Sequence, residues 1–78
     1  MSQEKFLKSN FTPDENTLSE IEKLHKEGKS LAGVQLKKAD MNGAKLVNAD
    51  LHNADLTRAD FSGASLYGVN LEGAILFK

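Results

Sequence analysis

Large apolar side chains recur at every fifth position of this chain without a break: Leu31, Leu36, Met41, Leu46, Leu51, Leu56, Phe61, Leu66, Leu71 and Leu76. With 40% of the residues hydrophobic, ten hits out of ten in one phase would arise by chance with a probability on the order of 10⁻⁴, so the repeat is real. A period of five fits neither ordinary element. On an α-helix five residues advance about 500°, roughly 140° past a full turn, and these side chains would wind around every face instead of forming a stripe. In a straight strand side chains alternate with period two, so an odd step sends successive leucines to opposite faces. The pattern is satisfied only if the backbone turns a corner once per unit, which folds every large side chain into one enclosed interior. The expected fold class is an all-β solenoid with very short sides.

The other slots of the unit agree. Two residues before each large side chain stands a small one, Ala39, Ala44, Ala49, Ala54, Ala59, Ala64 and Ala74, with Val34 and Val69 as larger variants and Lys29 marking where the repeat begins. Between them sits Asp40, Asp50, Asp55, Asp60 or Asn70. Two residues after the large side chain comes Gly33, Gly43, Gly63, Gly68, Gly73, Asn48 or Asn53, with Lys38, Arg58 and Lys78 elsewhere. Gly and Asn tolerate corner conformations that other residues resist. This Ala-Asp-Leu-x-x unit closely resembles that of the pentapeptide-repeat family over about residues 31–78. The residues alone leave three or four sides open. The resemblance implies four, stacked into a right-handed quadrilateral β-helix of about two and a half coils in which position n lies under n+20, with layers about 4.8 Å apart.

Residues 1–28 are expected to form a tail and an α-helical cap, and residues 29–78 the repeat, as one structural unit. Thr12-Pro13-Asp14-Glu15 reads as a helix start, with Thr12 as N-cap, Pro13 in the first turn and Glu15 as capping-box partner. Gly28 is the expected stop. Leu18, Ile21 and Leu24, with His25 beside them, form one stripe, and an open solenoid end needs such a cover for its leucines and its unpaired backbone groups. Residues 1–11, with Phe6, Leu7 and Phe11, are open to three readings: a tail, a further part of the cap, or a docking peptide.

At the other terminus Ile75 replaces the usual Asp, and Phe77 follows Leu76. Apolar side chains beside an open edge call for a cover. The expected protein interface is Leu71, Ile75, Leu76 and Phe77, with Tyr67 over Val47 as a lateral apolar strip. A second copy meeting end to end through the C-terminal coil is the leading expectation; its rivals are a different protein at this terminus and a chain trimmed from a longer solenoid. Some members of the resembled family pair by their C-terminal ends. Lys38, Arg58 and Lys78 fall in one column beside Asp40 and Asp60, a mixed-sign ladder expected to keep the coils soluble.

Charge and composition narrow the function. Residues 1–28 carry −2 and residues 29–78 carry +1, so neither part is a basic nucleic-acid tract or a polyanion. There is no cysteine, hence no disulfide framework or thiolate site. His25 and His52 have no second ligand at i+3 or i+4, Ser30, Ser62 and Ser65 have no positioned base, and the aspartates show no paired arrangement for acid–base work. No catalytic residue, cofactor or metal is expected. Met1-Ser2-Gln3-Glu4-Lys5 is not a signal sequence and no long apolar run follows, so a cytoplasmic, bacterial protein without direct membrane insertion is the expectation. The expected function is a non-enzymatic structural or protein–protein interaction module. Two alternatives stand beside it: a DNA mimic that binds a type II topoisomerase, as the quinolone-resistance members of the resembled family do, and a targeting or spacer portion of a bacterial effector or membrane-associated assembly. The first of these would need a long, strongly negative rod.

Overall fold

A computed structural model describes residues 2–77. Parallel bridges join Gln35 to Asp55, Asp40 to Asp60, Lys45 to Ser65, Asp50 to Asn70 and Asp55 to Ile75. Every pair is twenty residues apart, so four five-residue units complete a circuit and each circuit lies on the one before. The bridges are single-residue contacts, and no continuous strand forms among the described residues. A corner in every unit leaves no side long enough for one.

Each corner is a tight turn with a repeated set of bonds. The N–H of Ala39 donates to the Leu36 carbonyl at 3.0 Å and that of Ala44 to Met41 at 3.1 Å, closing four-residue turns. The third residue of such a turn takes positive φ, as a type II turn requires: Lys38 has φ 64°, Asn48 63°, Asn53 60° and Arg58 58°. The Asp slot fastens the chain after the turn. The Oδ1 atoms of Asp40, Asp50, Asp55, Asp60 and Asn70 accept the backbone N–H two residues on, at 2.9–3.1 Å, an Asx turn that only a short side-chain acceptor can make. Between circuits, Leu36 N–H donates to Asp55 O and Lys38 N–H to Thr57 O, both at 2.8 Å, while Asp55 N–H returns to Val34 O at 2.9 Å.

The interior is filled by the Leu and Ala slots. Leu31, Val34, Leu36, Met41, Ala44, Leu46, Leu51 and Ala54 are wholly buried. Alternating a large with a small inward side chain fills the narrow space at interior density.

The N-terminal segment joins the same buried cluster. Phe6, in a 3₁₀ turn over Glu4–Leu7, is wholly buried and meets Phe11 edge to face at 4.8 Å between ring centroids. Phe6 and Phe11 thus tie this segment to the packed cluster, and the docking-peptide reading fails on the burial of Phe6. The α-helix, α1, spans Thr17–Lys26, so Thr12 is not its N-cap. Asp14 and Thr17 supply the entry bonds instead: Asn16 N–H donates to Asp14 Oδ1 and Asp14 N–H to Thr17 Oγ1, both at 2.8 Å, the reciprocal chemistry of a capping box. Sequence spacing favoured Thr12 because Pro13 follows it, but the buried Thr17 draws the reciprocal bonds to Asp14. The other end stops as expected. Gly28, at φ 81°, donates to His25 O at 2.9 Å and Lys29 to Leu24 O at 3.0 Å, a Schellman closure. Ile21 and Leu24 are wholly buried and Leu18 packs against the cluster half-buried. Each full burial is worth about 1.5–3 kcal/mol.

Polar groups at this end are also matched to the first circuit. The carbonyl of Phe6 accepts Gln35 N–H, the Glu22 carboxylate accepts Lys45 N–H at 2.7 Å, and His25 Nε2 lies 2.9 Å from Val47 O. In the circuits above, the equivalent N–H groups of Asp55 and Ser65 donate to backbone carbonyls of the circuit beneath. A 3₁₀ turn and two helix side chains take the place of a preceding circuit.

Candidate interaction surface

Burial along the Leu slot is set by what lies above each residue. Leu51 is wholly buried and Leu56 nearly so, with Ile75 O accepting the Leu56 N–H at 2.8 Å. Residues 59–77 have no described residue twenty positions on, and exposure rises accordingly: Phe61 and Leu66 are half-buried, Leu71 is 36% exposed and Leu76 56%. Ile75, at 42%, and Phe77, at 73%, extend the apolar surface outward. The structure thus brings Leu71, Ile75, Leu76 and Phe77 to one end of the stack, opposite α1. Phe61 and Leu66 belong to the same end and were missed from sequence, because they carry the core pattern unchanged. The signal that finds them is the twenty-residue period: a Leu-slot residue with no counterpart twenty positions on has no roof.

The family model described as pentapeptide repeats (8 copies) matches residues 27–53 and 35–73, more than half of the chain. The chain belongs to the pentapeptide-repeat family. No match was found among curated proteins or among solved structures. Pentapeptide-repeat proteins are in general non-enzymatic structural or protein-interaction modules, and the surface of this one bears on which contacts it can make.

On the lateral face Val47 and Tyr67 stand one circuit apart, where Asn48 N–H donates to Tyr67 O at 2.8 Å. Val47 is 43% exposed and Tyr67 84%, so the strip runs from the α1 side, where His25 meets the Val47 carbonyl, up to the last circuit. The mixed-sign ladder is not one of ion pairs. Among the described residues Lys5 pairs with Glu20 at 2.8 Å and His52 Nδ1 lies 2.6 Å from Asp50 Oδ1; Lys38 and Arg58 form no salt bridge with Asp40 or Asp60, and Lys78 lies outside the described residues. The reason is that the Asp-slot carboxylates are turned back to their own turns.

That turn chemistry also sets their acidity. The Asp50 carboxyl is held below the ordinary aspartate range first by the side-chain hydrogen bond from His52, then by the His52 backbone N–H. Asp55 is lowered by the Thr57 hydroxyl, its backbone N–H and the nearby charge of Lys37, and Asp60 by the Ser62 hydroxyl and N–H. The donors lie close, at 2.6 Å in all three cases. A carboxylate stabilised in this way is a structural acceptor and a poor proton donor.

Among the described residues no group of three or more His, Cys, Asp or Glu side chains could hold a metal ion, and no helix is long and apolar enough to cross a membrane.

Proposed function

We propose that this pentapeptide-repeat chain is a non-enzymatic interaction module: a right-handed quadrilateral β-helix with residues 1–28 as its N-terminal cap and the C-terminal end of the stack as its protein contact. The observation that carries the proposal is the rise in exposure from Leu51 through Leu71 to Leu76, against the full burial of Phe6, Ile21 and Leu24 in the N-terminal segment. Contiguous apolar surface of this kind marks interaction sites on monomeric proteins. Either a second copy or a different protein would roof the end. The alternative of a DNA mimic finds no support in a repeat portion whose charge is +1, since imitation of a duplex needs a dense negative field.

A photo-cross-linking residue placed at Phe77 is expected to capture a protein chain that the same residue at Asn42, on a lateral face, does not. Ile75→Asp and Phe77→Asp are expected to abolish that capture while leaving the fold within about 0.5 kcal/mol of the parent, because Phe77 is 73% exposed and Ile75 occupies the slot that Asp40, Asp50, Asp55 and Asp60 fill in other units. Equal capture from both positions, or capture that survives both substitutions, would remove the C-terminal end as the contact.

A further inference from the structure

The backbone of the C-terminal end specifies its partner more narrowly than its apolar side chains do. Between circuits, among the described residues, twelve hydrogen bonds run from an N–H of the lower circuit to a carbonyl of the upper, and five run from an upper N–H to a lower carbonyl. The upper face of any circuit is therefore rich in donors and the lower face rich in acceptors. Among the described residues of the last circuit, the upward N–H groups of Phe61, Leu66, Leu71 and Leu76, and of Gly63, Gly68 and Gly73, have no backbone acceptor, and four upward carbonyls, those of Ala59, Ala64, Val69 and Ala74, have no backbone donor. Among these described residues seven donors face outward with four acceptors.

Two copies meeting end to end about a two-fold axis would set fourteen of these donors against eight acceptors, and at the one donor per carbonyl seen between the circuits six N–H groups would be closed off without a backbone partner, which folded structures rarely tolerate. A face offering two carbonyls for each N–H at the spacing of stacked circuits would satisfy the end. The second circuit presents such a face to the first: Leu31, Gly33, Leu36 and Lys38 donate to Asp50, His52, Asp55 and Thr57. On the proposed reading of this end as the contact surface, we infer that its occupant is the leading, acceptor-rich edge of a coil on a partner protein, added in parallel as a further circuit, and not the C-terminal end of a second copy. The mode is edge addition, in which main-chain bonds give affinity and the alternate side chains give selectivity. Apolar side chains from the added coil would roof Leu71 and Leu76 as Leu51 and Leu56 are roofed now.

The test is amide hydrogen exchange on the full chain, with a synthetic peptide of the sequence of residues 31–50 as probe. The expected result is that the amides of Gly63, Gly68 and Gly73 exchange at least tenfold more slowly with the peptide at millimolar concentration, and that a peptide carrying Leu36→Asp and Met41→Asp has no such effect. Without peptide, their exchange is expected to be independent of protein concentration. Protection that grows with protein concentration alone would overturn the inference and leave the end as a contact surface, now for a second copy. No protection by the parent peptide, or equal protection by both peptides, would also overturn it. The cross-linking outcome at Phe77 is independent of all three results.

Discussion

Gly68→Ala is a sharp probe of the twenty-residue stacking, because its effect depends on a residue that is distant in sequence. Gly63 and Gly68 have φ of 70° and 72°, and an L-residue held in this region costs about 1–2 kcal/mol. The lower chain entropy of unfolded Ala offsets about 0.5–1 kcal/mol of that. A Cβ on Gly63 would meet nothing closer than the Gly43 backbone nitrogen at 3.9 Å, so Gly63→Ala is expected to cost only the net backbone term, about 1 kcal/mol. A Cβ on Gly68 would overlap Asn48 Oδ1 and lie 3.2 Å from its Cγ. The Asn48 side chain must then leave its rotamer, which adds about 0.5–1.5 kcal/mol, for a total near 2 kcal/mol. Replacing Asn48 by Gly removes the obstacle. In urea titrations followed by circular dichroism, the midpoint of Gly68→Ala should fall further than that of Gly63→Ala at constant m-value. The double-mutant cycle with Asn48→Gly should return a coupling of about 1 kcal/mol. Equal midpoints for the two alanine variants, or a coupling below about 0.3 kcal/mol, would refute the placement of residue 48 directly beneath residue 68.

Two further outcomes follow from the corner and Asp slots. Lys38→Gly and Arg58→Gly replace exposed residues at φ 64° and 58°, and each is expected to stabilise the fold by about 0.5–1 kcal/mol, raising the thermal midpoint; a fall in midpoint for both would contradict the corner assignment. Asp50, Asp55 and Asp60 have folded-state pKa values below the ordinary 3.8, so between that value and the lowered ones the unfolded chain binds more protons than the folded one. Their contribution is therefore complete above about pH 5 and is lost as pH falls through the lowered values. Urea midpoints taken from pH 6 down to pH 2.5 should decline below pH 4, and less steeply in Asp55→Asn, which keeps the acceptor without the titration. An acid limb of the same slope in that variant would remove Asp55 from the account.

Much of this architecture is written locally. Each unit carries its own corner, its own Asx acceptor and its own inward pair, and all are satisfied within five or six residues of backbone, as Asp40 to Asn42 and Leu36 to Ala39 illustrate. A property that closes over so short a span leaves its mark in residue type, which is why the solenoid, the inward column and the positive-φ corners are legible without coordinates. The Asp slot is a partial case: its spacing is visible, but its role as acceptor to the N–H two residues on emerges only with the turn geometry. The helix stop at Gly28 is local and was readable. The helix start was not, because the buried Thr17 hydroxyl and the Asp14 carboxylate outweigh the signal of Thr12 and Pro13.

What the amino-acid order determined by itself is the unit: five residues, one corner and two inward side chains. How many units make a circuit, and so which residue roofs which, was decided in three dimensions, where the bridge from Gln35 to Asp55 sets the circuit at twenty residues. The same holds for the two ends. Phe6 O, Glu22 and His25 meet the first circuit from segments far along the chain, and Leu66 is half-buried where Leu46 is wholly buried though both occupy the same slot. Burial and edge pairing belong to the layer above or below, and a repeat that reads alike in every unit carries no record of which layer is last.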